Sequence, residues 1–140
     1  MDPMSPINCV SYRLRRAARI MGRVYDDALS AHDLRNTQFT LLAALAIEGA
    51  KPHTELAESL GIETTTLTRN IDVLERRGLV RAVADLNDRR IRRVELTGEG
   101  RARYEAALES WRPTQEKVLK SLGTERWLET LSDLKRIEEV

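Results

Sequence analysis

A run of hydroxyls and a cluster of guanidinium groups are the side chains of this sequence best equipped for chemistry, and that chemistry is noncovalent recognition. Thr64, Thr65, Thr66, Thr68, Arg69 and Asn70 crowd into one short segment. Threonine hydroxyls reach base edges or phosphate oxygens, threonine methyls meet the thymine methyl, and an arginine bonds a phosphate or a guanine edge. Further along, Arg89 and Arg90 sit in a polar, turn-prone stretch. An arginine on a narrow tip suits the negative potential of an A·T-rich minor groove. Asp88, next to them, is of the type that bonds local backbone or pairs with an arginine and so fixes a turn. Each group also has a plainer reading. The threonines could serve only as capping residues of a helix start, and the arginines as a solvated edge that discourages strand pairing. Their occurrence together favours a binding surface for nucleic acid.

Other chemistry finds little support. There is no glycine-rich phosphate loop, no metal-spaced His/Cys/Asp cluster and no nucleophile motif, so no enzyme, metal or cofactor is expected. The chain has two histidines and one cysteine. His53 reads as a surface or phosphate-adjacent residue. Cys9 lies near a helix start with Tyr12, Arg13 and Arg16 one and two turns on. A helix N-terminus and nearby guanidinium groups favour a reactive thiolate, hence a redox sensor; the other reading is a small hydrophobe in an interface. With no second cysteine, oxidation would stop at a sulfenic acid or at a mixed or intersubunit disulfide. Tyr25, His32, Arg35 and Phe39 form a candidate ligand pocket in which the arginine and histidine hold a carboxylate, against the alternative that His32 and Arg35 are ordinary loop residues. Trp111 and Trp127 read as core or interface residues.

The elements that would position these groups follow from composition and period. The chain has 140 residues, 41% hydrophobic and 32% charged, with Lys+Arg 23 against Asp+Glu 22. That length suits one domain over residues 1–140 with a real core. Net charge is only +1, but five arginines and no acid lie between Tyr12 and Val24, and seven arginines lie between Arg76 and Arg93. Such a distribution suggests a directed basic patch. No apolar run is long enough to span a membrane and no signal-peptide pattern opens the chain, so a reducing cytoplasm is the expected setting.

Ser5 or Asn8 could cap a first helix, with Pro6 at its first position. Val10, Leu14, Ala17, Met21, Val24 and Ala28 recur in alternating steps of three and four, a heptad stripe that needs another surface to bury it. A second helix is predicted from about Thr37 to Glu48, ended by Gly49, and a third over Thr54–Leu60. Gly61 supplies the positive φ of a sharp turn, and small Ala57 allows a close helix crossing. A fourth helix, from about Glu63 to Arg77, would bury Leu67, Ile71 and Leu74 and leave the threonines and Arg69 outside. Alternating patterns over Leu79–Val83 and Arg92–Leu96 read as a β-hairpin, with Arg92 and Arg93 on opposite faces. Thr97 caps a further helix to about Leu122, which Pro113 should kink or break. A last helix carries Trp127, Leu131 and Leu134. The order helix, helix, tight turn, helix, hairpin is that of a winged helix-turn-helix, mainly α with a small β-hairpin.

Glu55-Leu56-Ala57 through Gly61-Ile62, Thr66-Leu67-Thr68-Arg69, Leu74 through Val80, Asn87-Asp88-Arg89-Arg90 and Val94 through Gly100 together carry a specific likeness. From about Tyr12 to Leu134 the chain resembles a MarR-family transcriptional regulator. The resemblance implies a homodimer joined through N- and C-terminal helices, at about 7–30 and 100–140, flanking a DNA-binding lobe at about 37–97. It implies a near-palindromic double-stranded DNA operator, a recognition helix in the major groove, and Arg90 as the minor-groove arginine of the wing. It further implies repression relieved by a small, often aromatic or phenolic, ligand, or by oxidation of a thiol. A winged helix used only for protein interaction is the alternative from another class; the wing arginines argue against it. Glu63 stands where the family often has a Ser or Thr cap, which predicts a shifted start to the recognition helix.

Overall fold

The computed structural model describes residues 1–140. In chain order it comprises α1 (Val10–Leu29), α2 (Asn36–Glu48), β1 (Lys51–Pro52), α3 (His53–Leu60), α4 (Thr64–Arg76), β2 (Val80–Ala84), β3 (Arg92–Leu96), α5 (Gly98–Leu122) and α6 (Thr124–Glu138). The fold is mainly helical with a small antiparallel sheet, as the sequence predicts. The sheet has three strands in the order β1-β3-β2, one more than the predicted hairpin. The extra strand is the two residues Lys51 and Pro52, paired with Val94 and Arg93. Pro52 has no N–H for a ladder, so a strand here is tolerated only at the edge, and no alternation marks it in the sequence.

Pro6 does open a helical turn, but only the three-residue 3₁₀ turn Pro6–Asn8. Helix α1 proper begins at Val10 with Cys9 at its N-cap, so neither Ser5 nor Asn8 caps it. The predicted break at Pro113 does not occur: α5 runs continuously from Gly98 to Leu122. Pro113 and Glu109 are both exposed. Pro113 has no N–H, so the Glu109 carbonyl lacks its partner four residues on.

The core is one cluster of 16 buried apolar residues drawn from Leu29 through Ala107. Leu42 and Leu45 of α2, Leu56 of α3, Leu67 and Leu74 of α4, and Val80 and Val94 of the sheet are all at most 2% exposed. Each such side chain contributes about 1.5–3 kcal/mol by leaving water. Phe39 joins the start of α2 to α5, its ring centroid 5.4 Å from that of Tyr104 and 6.0 Å from that of Trp111. No helix is long and apolar enough to cross a membrane.

One junction fixes α4 and the sheet to α5. Thr97 Oγ1 accepts the Gly100 N–H at 3.0 Å, capping α5, and donates to the Gly78 carbonyl at 2.5 Å. Gly100 packs so closely there that a Cβ would lie 1.8 Å from the Leu79 carbonyl oxygen. Only glycine allows this approach of helix to strand.

Candidate nucleic-acid interface

Helices α3 and α4 meet through the turn that the sequence specifies. Gly61 has φ +65°, in the left-handed region, and the Ile62 N–H bonds the Ala57 carbonyl at 3.1 Å. Ala57 is buried beneath the crossing. Helix α4 starts at Thr64, with Glu63 as an N-cap whose side chain makes no capping bond. The helix start is therefore not displaced: the N–H groups of the first turn are left free, which is what an anion-accepting helix end requires.

Leu67, Ile71 and Leu74 are buried, and Thr64, Thr65, Thr66, Thr68 and Arg69 are exposed. At 100° per residue, Thr65 and Arg69 lie near the centre of the outward face, opposite the buried leucines. Asn70 is half-buried, on the flank away from Thr68. Arg69 forms no ion pair within the chain, so its guanidinium is available to an external anion. Thr68 Oγ1 is engaged internally. It donates to the Thr64 carbonyl at 2.8 Å and lies 2.9 Å from His53 Nε2 at the start of α3.

The loop between β2 and β3 forms the wing. Arg89 and Arg90 are both exposed. Asp88 organises Arg90 as the sequence suggests: its Oδ1 accepts the Arg90 backbone N–H at 3.0 Å and Nε at 3.1 Å, and its Oδ2 accepts a terminal nitrogen at 3.0 Å. The Asp88 carboxyl is accordingly held below its ordinary value by the Arg90 guanidinium and backbone. The Arg90 side chain stays 91% exposed despite this pair. An exposed pair of this kind adds little stability, and its effect is to orient the guanidinium.

Two wing residues escaped the sequence reading. Asp85 Oδ2 accepts the N–H groups of Asn87 and Asp88, each at 3.0 Å, closing the tip. Its Oδ1 accepts from Arg93 at 3.0 Å, and Arg93 also donates to the Ala50 carbonyl at 2.8 Å. The Arg93 guanidinium, then the two backbone N–H groups, hold the Asp85 carboxyl below its usual range. Arg93 thus ties the wing to the turn before β1, while Arg92, on the other face of β3, is exposed. An aspartate two and three residues before the amides it accepts is a turn signal in its own right and marked Asp85 in the sequence. Arg77, at the C-cap of α4, similarly donates to the Asp33 carbonyl at 2.5 Å and its carboxylate at 3.2 Å. Asp33 has φ +52°, the one non-glycine residue in the left-handed region, and closes the turn between α1 and α2.

The four residues proposed for a ligand pocket are not brought together. Phe39 is buried in the core. Arg35 lies in a polar hollow with Asp26, Asp27 and Arg77. His32 faces another, with its Nε2 2.7 Å from Ser110 Oγ. Tyr25 lines a third, an apolar groove of about 760 Å³ between α1, α5 and α6, with Met21, Trp111, Val118 and Trp127. Its hydroxyl donates to Gln115 Oε1, and burial raises its pKa. Chain proximity misled here, because Tyr25, His32, Arg35 and Phe39 straddle a helix end, a turn and a helix start and so point in different directions. Cys9 is exposed in the single chain. The N–H groups of Tyr12 and Ser11 lower its thiol pKa, with a smaller contribution from Arg15. Arg13 and Arg16, the partners the spacing suggested, are not among these causes; Arg13 instead bonds Asn8 Oδ1 at 3.0 Å.

A family model described as the MarR family matches residues 34–91, which takes in α2 through the wing. The M. tuberculosis transcriptional regulator MosR, in a structure in complex with DNA, is 42% identical, with a TM-score of 0.83 over 94% of this chain and 96% of that one. The HTH-type transcriptional regulator PecS of Dickeya dadantii (strain 3937) is 28% identical over 143 residues, covering 99% of this chain and 83% of its own length. A mutant of E. coli MarR complexed with operator DNA shares the fold, with a TM-score of 0.84 at 23% identity, over 98% of this chain and 99% of that one.

Proposed function

Because this chain belongs to the MarR family and is a DNA-binding transcriptional regulator rather than an enzyme, we propose that it acts as a cytoplasmic homodimeric repressor on a near-palindromic operator. One observation supports the choice of contact residues. Helix α4 buries Leu67, Ile71 and Leu74 and turns Thr64, Thr65, Thr66, Thr68 and Arg69 to solvent, and the wing beyond it carries the exposed Arg89 and Arg90. In this reading α4 lies in the major groove with Asn70 at its margin, and Arg89 and Arg90 reach phosphate or the minor groove. Helices α1, α5 and α6 form the dimer and residues 37–97 the DNA-binding lobe.

The test is a mobility shift with the DNA upstream of the protein's own gene. Wild-type protein binds with a steep inverse dependence on salt, as several phosphate contacts require. Arg90→Ala, folded by circular dichroism, binds more weakly; unchanged binding removes the wing from the interface, and no binding by the wild type removes the function.

Release has two readings, each with its own observation. The apolar groove beside Tyr25 and Trp111 is of a size and character to take a small aromatic or phenolic ligand. The exposed, acidified Cys9 thiol is suited to oxidation by peroxide. Operator binding with and without peroxide, in wild type and Cys9→Ser, separates them: a redox sensor loses DNA on oxidation only when Cys9 is present.

A further inference from the structure

We propose that His53 and Thr68 form one readout unit that recognises thymine by its 5-methyl group. The inference rests on the DNA-binding role of α4. It starts from hydrogen-bond arithmetic at a single oxygen. Thr68 Oγ1 lies 2.8 Å from the Thr64 carbonyl and 2.9 Å from His53 Nε2. A carbonyl only accepts, so the one hydroxyl hydrogen of Thr68 is spent on Thr64. The second contact is then satisfied only if His53 donates through Nε2–H, which fixes its protonation at that nitrogen.

The consequence for recognition is specific. Thr68 is exposed on the α3-facing flank of α4. Its hydroxyl has no hydrogen left for a base acceptor, and one of its two acceptor lone pairs is taken by His53. What it can still offer a base edge is the Cγ2 methyl and one acceptor lone pair. With no proton to donate, the hydroxyl cannot read guanine N7 or O6 or thymine O4, and the methyl is the group that meets the apolar feature of the major groove, the thymine 5-methyl. His53 is half-buried at the start of α3. It acts through Thr68 as a positioning residue, holding the hydroxyl on its internal partners.

Replacing single thymines by uracils removes only the methyl. A duplex selected by the purified wild-type protein from a randomised pool is rebuilt with each thymine changed in turn, and affinities are measured. One thymine per half-site shows a loss of about fourfold, the equivalent of one buried carbon. Thr68→Val, which keeps a methyl and lacks the hydroxyl, retains that preference, and Thr68→Ser, which keeps the hydroxyl, abolishes it. His53→Ala narrows the preference, and His53→Gln, whose amide can still donate, restores it. Thr68→Val losing the preference as Thr68→Ser does, His53→Ala leaving it at the wild-type value, or a selected duplex with no uracil-sensitive thymine would each overturn the inference while leaving DNA binding intact. A wild-type protein that selects no sequence overturns the DNA-binding role itself, and the inference with it.

Discussion

The stretch from α2 to the start of α5 and the pair α1 and α6 are built of similar residues and end in opposite states. The former closes a core in which leucines of α2, α3 and α4 and valines of the sheet lose nearly all contact with water. The latter closes nothing. Helix α6 buries no residue, and α1 buries only Leu29 at its last position. Val10, Leu14 and Val24 of the α1 stripe stand exposed, as do Leu122 and Leu128 near the α5–α6 corner. Amphipathic helices that project past the core find no internal surface for their apolar stripes. The contrast teaches that the lobe closes a core by its own packing, whereas the outer helices leave apolar side chains uncovered within one chain, the surface that the proposed homodimer would use.

Core truncation has the largest effect. Leu42→Ala, at a position with no exposure, lowers unfolding stability by about 2–5 kcal/mol in urea denaturation. Leu14→Ala is milder, and its effect varies with protein concentration because it acts through association. A denaturation midpoint of the Leu14 variant that ignores concentration breaks the contrast. Next comes Gly100→Ala, where a Cβ would press on the Leu79 carbonyl. Displacing backbone there costs about 1–3 kcal/mol and loosens the wing, which thermal unfolding and proteolysis at the wing would register. Charge in the stripe, as Val10→Glu with Leu14→Glu, yields a folded monomer by light scattering with near-native circular dichroism. Loss of the lobe's helicity in that variant would mean that its core does not stand alone.

Smaller effects fall on the wing. Arg90→Ala weakens operator affinity about tenfold with no change in unfolding. Asp85 carries a pH signature. Its folded pKa lies below that of the unfolded chain, so its stabilisation is present above the ordinary carboxylate value of about 3.9 and is lost as pH falls through the lower folded value. Hydrogen exchange at the Asn87 and Asp88 amides therefore stays protected at neutral and mildly acid pH and loses protection in strong acid. Asp85→Asn removes that dependence.

Local rules made some parts of this molecule legible and left others dark. Gly61 after Ala57, the Leu67, Ile71 and Leu74 stripe, Thr97 as a cap and Asp88 beside Arg90 all rest on neighbours within a few residues, and they could be placed from spacing. Strand β1 could not, because it exists only through pairing with β3, some 40 residues on. The Arg93 tie to Ala50, the Arg77 tie to Asp33 and the His53 bond to Thr68 have the same character. Pro113 differs again: α5 continues through it, because the helix on both sides is held by its own packing and the local cost of one lost hydrogen bond does not end it.

The Thr97 junction has a mechanical meaning. A single hydroxyl joins the exit of the reading helix to the foot of a 25-residue rod, about 37 Å long at 1.5 Å per residue. A tilt of the rod near this junction therefore carries the lobe with it. In the homodimer proposed above, two such rods would carry the two lobes, and the spacing of the lobes along a duplex would follow the angle between the rods.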